Sequence, residues 1–140
     1  MHLSSKTSPN NFSKSIAFEV YSNGLGAFGL PGDNSSISRF IRATFNKYNM
    51  YLKNSEEDSV VQFFHLLDSV KQIKGCVITK DEKYEKTIYS SCINASKQIY
   101  YYKTYGNSSV SALCLHNENL DLEQLVCYPL NTTLKVQYQN

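Results

Sequence analysis

The sequence predicts an α+β fold in one domain, ordered as a strand, two helices and then an antiparallel meander. Three observations predict it. An alternating stretch lies near the N-terminus, two stretches of helical periodicity follow one another from residue 35 to 75, and short aromatic-rich segments separated by turn residues fill the rest. Helices gathered in one run and strands in another mark α+β layering, not alternating βα units. A chain of 140 residues, 41% hydrophobic and 19% charged, is the size and composition of one domain with a core. Its 14 Lys+Arg against 12 Asp+Glu leave a net charge of +2, too small a surplus to predict nucleic acid or an anionic membrane as partner. No apolar run approaches the ~18–20 residues of a membrane span. Met1–Ser15 is polar and has no apolar h-region, so no secretory signal is expected and the cytoplasm is the expected location.

Residues 1–14 are rich in Ser, Asn and Lys and predict a loop; residues 15–140 form the expected domain. Ser15–Tyr21 alternates, with Ile16, Phe18 and Val20 on one face, and predicts a half-buried strand. A loop follows that holds four of the six glycines, Gly24, Gly26, Gly29 and Gly32. Ser35 or Ser36 can cap a helix whose Ile37, Phe40, Ile41, Thr44, Phe45 and Tyr48 repeat on one side, with Arg39, Arg42, Asn46 and Asn49 largely off that stripe. Ser55-Glu56-Glu57-Asp58 begins a second helix, with acids at the positive end of its dipole. Val60, Phe64, Leu67, Val70 and Ile73 form its apolar face, and Gly75 is the expected stop. Strands are expected over 76–79, 84–92, 98–105 and 110–116, with a hairpin turn at 94–97, and two more near Val126 and Leu134. Aromatic side chains on both faces of Tyr100-Tyr101-Tyr102 predict a strand covered on both sides.

Little in these residues announces chemistry. Gly24-x-Gly26-x-x-Gly29 follows a predicted strand, as in dinucleotide-binding folds. There the helix begins within the motif and its N-terminus meets the pyrophosphate; here Leu30-Pro31-Gly32-Asp33 intervenes, and Asp33 would repel a phosphate. No cofactor is expected. Cys76, Cys92, Cys114 and Cys127 form no C-x-x-C pair, no histidine stands at zinc-finger spacing, and the thiols are expected free and buried, with no metal. His65 and His116 have no Cys or Asp partner in sequence and are expected to be structural. Arg39 and Arg42 share a helix side. They form either a solvated basic face or, just after a glycine loop, a pair able to hold an anion or lower a thiol's pKa.

From the glycine loop onward the chain resembles a known family. Gly29-Leu30-Pro31-Gly32-Asp33 followed by Ser35-Ser36-x-Ser38-Arg39-Phe40-x-Arg42-Ala43 is similar to the choloylglycine hydrolases, the bile salt hydrolases and penicillin V acylases. The likeness continues through Lys86–Cys92, Tyr100-Tyr101-Tyr102-x-Thr104-Tyr105, Asn119-Leu120-Asp121 and Tyr128-Pro129-Leu130, and reaches back to Asn10-Asn11-Phe12-Ser13. The resemblance implies part of an N-terminal-nucleophile hydrolase fold, a four-layer αββα sandwich. It also implies hydrolysis of a linear amide C–N bond in a small-molecule substrate, a conjugated bile acid or penicillin V. In that family an N-terminal Cys attacks the amide with its own α-amine as base. Arg39 matches the arginine beside that nucleophile, and it is the one catalytic residue the match assigns.

The likeness covers only the C-terminal part of the family's length. Met1-His2-Leu3 offers no N-terminal Cys, and each of the four cysteines has its amine in a peptide bond. The resemblance therefore implies a segment that is silent alone and of marginal stability, with exposed strand faces. Three readings are open: a truncated frame, half of a two-chain enzyme completed by an N-terminal half, or a non-catalytic module that binds amphipathic ligands or related subunits. A homo-oligomer is a further expected partner.

Overall fold

The computed structural model describes Ala27 and residues 29–140; the expected loop over 1–14, the expected strand Ser15–Tyr21 and most of the glycine loop lie outside the described residues. Two helices come first. α1, Ser36–Asn49, begins where Ser35 turns extended (φ −63°, ψ 155°) and its side chain accepts the Ser38 N–H, relieving one orphan donor of the first turn. α2, Glu56–Asp68, begins at Ser55, whose side chain accepts the Asp58 N–H, with Glu56, Glu57 and Asp58 at the positive end of the dipole.

The second helix stops seven residues short of the expected Gly75. Ser69 caps it, donating its hydroxyl to the Leu66 carbonyl at 2.6 Å and accepting from the Asn46 amide at 2.7 Å. Val70 and Lys71 N–H close tight turns onto the Leu67 and Asp68 carbonyls, and Gln72 leaves for a remote partner. Gln72 N–H donates to Thr87 Oγ1 at 2.8 Å, and Thr87 N–H returns to the Gln72 carbonyl at 3.0 Å. Gly75, at φ +100°, serves a tight turn in which Cys76 N–H donates to the Ile73 carbonyl.

The meander forms as expected, with shorter strands. β1 (Tyr89–Asn94), β2 (Ile99–Thr104) and β3 (Ser111–Cys114) make one antiparallel sheet in the order β1-β2-β3, registered Cys92 to Tyr101 and Tyr101 to Ala112. The strand expected over 76–79 reduces to a single bridge between Ile78 and Tyr84. The strands expected near Val126 and Leu134 do not form: residues 118–140 are irregular, with no ladder partner for their backbone among the described residues. In the β1–β2 hairpin Gln98, not a glycine, takes the left-handed conformation (φ 54°).

Period-two alternation assigns the sheet's two faces. Asn94, Tyr101 and Lys103 turn toward α2, where Glu56 accepts from Asn94 Nδ2 at 2.6 Å, from Tyr101 OH at 2.8 Å and from Lys97 Nζ. The Lys103 ammonium lies 2.6 Å from Asp68 and 4.9 Å from the centre of the Phe64 ring. On the other face the C-terminal segment crosses Tyr102 and Thr104: Asn131 N–H donates to Tyr102 OH at 3.4 Å, and Thr104 Oγ1 donates to the Asn131 carbonyl at 2.9 Å. The expected cover on both faces is met only in part: Tyr102 is buried, while Tyr100 and Tyr101 are half-buried. Phe64 (3% exposed) and Tyr102 (7%), one on each side of the sheet, are the buried apolar residues among those described.

α1 departs furthest from expectation. Its polar side makes the bonded contacts with α2: Ser38 is buried, Asn46 bonds Ser69, and Arg39 reaches past the end of α2. Of the stripe, Phe45 is half-buried and lines a cleft with Gln62 and Leu66 of α2, whereas Ile37 (74% exposed), Phe40 (71%) and Tyr48 (80%) point outward. Periodicity reveals an apolar side but not what will cover it.

Candidate active site

The sequence-assigned Arg39 sits in the first turns of α1, on a support built from two loops. The loop ahead of the helix is stapled from both ends. Asp33 accepts from Ser35 N–H at 2.8 Å and from Ser38 Oγ at 2.5 Å, while Ser35 Oγ donates to Ser38 Oγ at 3.0 Å. The nearby Ser35 hydroxyl foremost, then the Ser38 hydroxyl and the Ser35 N–H, hold the Asp33 carboxyl well below the usual carboxylate range. The aspartate that argues against phosphate binding thus organises the start of the helix. Arg42 completes the staple, donating one terminal nitrogen to the carbonyls of Pro31 at 2.9 Å and Asp33 at 2.7 Å.

Behind Arg39 lies the segment that follows α2. Arg39 Nε donates to the Val70 carbonyl at 2.9 Å, and the Gln72–Thr87 pair of hydrogen bonds holds that segment in place. Arg39 and Arg42 are both half-buried and bonded to main-chain carbonyls, so the reading of a solvated basic face is replaced by two structural anchors. Among the described residues Nε is the side-chain nitrogen of Arg39 that is engaged. A guanidinium clamped through Nε keeps its two terminal nitrogens as donors for an anion.

The other candidates disperse. Cys76 and Cys127 are exposed and Cys92 and Cys114 half-buried, all four as free thiols, so the expected burial is not met. Burial pushes the Cys92 thiol upward, away from the reactive thiolate. His65 and His116 are exposed. No group of three His, Cys, Asp or Glu side chains suited to a metal occurs among the described residues. No helix of the described residues is long and apolar enough to cross a membrane.

Two features are scarcely legible in the sequence. Lys97, Tyr101 and Asn94 converge on Glu56 from up to 45 positions away, lowering its pKa, with the Lys97 hydrogen bond the largest cause, and raising that of Tyr101. On the sheet's opposite face, Ile93, Tyr100, Leu113, Leu120, Leu125 and Tyr128 line an apolar cleft of about 590 Å³. Only the aromatic alternation of β2 hints at it.

Known proteins match along most of this chain. The family model for linear amide C–N hydrolases, choloylglycine hydrolase family, matches residues 1–128. A bile salt hydrolase/transferase of Lactiplantibacillus plantarum is 49% identical over 130 residues, which are 93% of this chain and 40% of that protein. One from Clostridium perfringens is 38% identical over 117 residues, covering 84% of this chain and 36% of the relative. The crystal structure of a mutant conjugated bile acid hydrolase from Clostridium perfringens superposes with a TM-score of 0.78 at 37% identity, over 91% of this chain and 39% of that one. Penicillin V acylase from Agrobacterium tumefaciens shares the fold, with a TM-score of 0.54 at 19% identity over 65% of this chain and 29% of that one. The chain spans about 40% of the length of the curated relatives it matches. Its helix pair and sheet are part of the N-terminal-nucleophile hydrolase sandwich, and the chain belongs to the choloylglycine hydrolase family of linear amide C–N hydrolases.

Proposed function

We propose that this chain is the C-terminal segment of a bile-salt-hydrolase-like amidase that cleaves the linear amide of conjugated bile acids or penicillin V, and that Arg39 is the catalytic residue it contributes. The observation that carries the reading is the 49% identity to a bile salt hydrolase/transferase along 93% of the chain. The support under Arg39 adds to it, because a guanidinium pinned at Nε presents its remaining donors in one orientation.

In the proposed reaction a cysteine thiolate, supplied by a part of the enzyme outside this sequence, attacks the amide carbonyl carbon. The C–N bond breaks as the leaving amine takes a proton from the cysteine's own ammonium, and water then hydrolyses the acyl-thioester. Arg39 favours the thiolate and offsets the negative charge that builds at the reacting centre. The 140 residues alone carry no N-terminal cysteine and are expected to be silent.

The purified chain with glycocholate and with penicillin V tests this, and robust turnover refutes it. When the chain replaces the matched stretch of the Lactiplantibacillus plantarum relative, turnover is expected, and Arg39→Lys should lower kcat by about 10²–10³-fold. Unchanged kcat sinks the role of Arg39. The 590 Å³ apolar cleft favours a second reading, a non-catalytic module for amphipathic ligands. Deoxycholate binding to the chain, with no turnover by the chimera, selects that reading.

A further inference from the structure

We propose that Thr87 and Tyr105 are positioning residues for Arg39: they fasten the segment 70–74, whose Val70 carbonyl holds the guanidinium, and so set the pose of that charge. The inference rests on the role proposed for Arg39 above. Both residues lie in stretches that resemble the family, Lys86–Cys92 and Tyr100–Tyr105, yet the chemistry above gives them no task. Their side-chain hydrogen bonds go to the segment behind Arg39.

Peptide planarity carries the link. In one peptide unit the Val70 carbonyl accepts Arg39 Nε at 2.9 Å, while Lys71 N–H, on the opposite edge of the same plane, donates to the Asp68 carbonyl at 3.2 Å. The Asp68 bond stands at the long end of the normal range, so α2 alone holds this plane loosely. The next unit is held firmly, because Gln72 N–H donates to Thr87 Oγ1 at 2.8 Å. The unit after it accepts Thr87 N–H at the Gln72 carbonyl, at 3.0 Å. Thr87 therefore fixes both planes that flank the Gln72 Cα, and Lys71 is the one residue between them and the Val70 plane.

Tyr105 fastens the far end. Its hydroxyl accepts Lys74 N–H at 3.1 Å, and its ring centre lies 5.2 Å from the Lys71 ammonium and 5.1 Å from that of Lys86. Tyr105 N–H donates to the carbonyl of Ile88, the residue after Thr87, so both fasteners share one end of the β1–β2 ladder. The Gln72 side chain adds nothing to the hold. It is 2% exposed, yet no described group donates to its Oε1. A buried acceptor without a donor opposes the closed position, which leaves the holding to Thr87 and Tyr105. When they let go, the Val70 carbonyl turns and Arg39 loses the partner of its Nε.

The full chain gives the first test. It has two arginines, so its nitrogen-resolved NMR spectrum holds two Nε–H signals, and Arg39→Lys identifies one by removing it. Thr87→Val should speed hydrogen exchange at Arg39 Nε–H by at least about tenfold, with Arg42 as internal reference, and Thr87→Ser should restore it. Tyr105→Phe keeps the ring and should act in the same direction by about threefold, because water reaches the exposed Lys74. Unchanged exchange in Thr87→Val, a serine variant no slower than valine, or a parent whose Arg39 Nε–H exchanges as freely as in a peptide overturns the proposal.

The chimera with the Lactiplantibacillus plantarum relative gives the second. There Thr87→Val should lower kcat about tenfold with KM within about twofold. It should also raise the pH at which the nucleophilic cysteine becomes reactive to iodoacetamide, by about half a unit or more, since a displaced cation favours the thiolate less. Lost stability alone scales the rate equally at every pH and leaves that midpoint in place. If Arg39→Lys impairs the chimera and Thr87→Val moves neither kcat nor the midpoint, the proposal fails and the role of Arg39 stands. If Arg39→Lys leaves kcat unchanged, the role of Arg39 fails, and the exchange result alone judges the fastening.

Discussion

Thr87→Val removes one hydroxyl and nearly preserves shape, which isolates the clamp behind Arg39. Thr87 Oγ1 accepts the Gln72 N–H at 2.8 Å, and Gln72 is 2% exposed, so water cannot take over the lost acceptor. An unsatisfied buried backbone donor costs about 1–3 kcal/mol. In a 140-residue domain that lowers the unfolding midpoint by roughly 3–15 °C. The reciprocal bond, Thr87 N–H to the Gln72 carbonyl, survives, so the variant should remain folded. The chain has 11 Tyr and no Trp, and urea melts followed by tyrosine fluorescence or near-UV dichroism measure the change. Thr87→Ser restores the acceptor and should recover most of the loss. A valine variant as stable as the parent, or a serine variant no better than valine, refutes the clamp.

Phe64→Ala should cost about 3–5 kcal/mol, since Phe64 is the buried apolar side chain between α2 and the sheet, while Tyr138→Ala, 80% exposed, should stay within about 0.5 kcal/mol; paired urea melts check both. Glu56 has its folded pKa depressed below the ordinary 4.5, chiefly by Lys97, so its contribution is complete above that value and is lost as pH falls through the folded pKa. Glu56→Gln should therefore flatten the acid limb of a stability–pH curve below about pH 4.5, and an unchanged limb refutes it. A methyl group added by Gly106→Ala would stand 2.6 Å from the Thr132 carbonyl, so that variant should release the C-terminal segment, seen as faster proteolysis after residue 118. Cys76 and Cys127 should react with a thiol reagent at pH 8 well before Cys92, whose thiol is half-buried and raised in pKa; mass mapping reads the order.

Local chemistry is legible in the sequence and remote partnership is not. The starts of both helices are visible, because Ser35 and Ser55 act within four residues of themselves. The hairpins are visible because β-ladders between neighbours need only alternation and a turn. The end of α2 is not, because the force that ends it comes from Thr87 and Asn46, far along the chain in either direction. Val126 and Leu134 have strand-like neighbours, yet their backbone joins no ladder among the described residues, and alternation alone does not tell whether a strand will find a partner. Arg39 is assigned through family resemblance alone; its bond to Val70 spans 31 positions and has no periodic signature.

The wiring of the sheet has a kinetic corollary. β1, β2 and β3 lie side by side in chain order, and the two helices that precede them are also neighbours. Loop closure is then short at nearly every step, the arrangement that assembles fastest among sheets of this size. Such a stretch can zip up on the ribosome as it emerges, helix pair first and ladder second. The distant halves of a sandwich, by contrast, must search for one another.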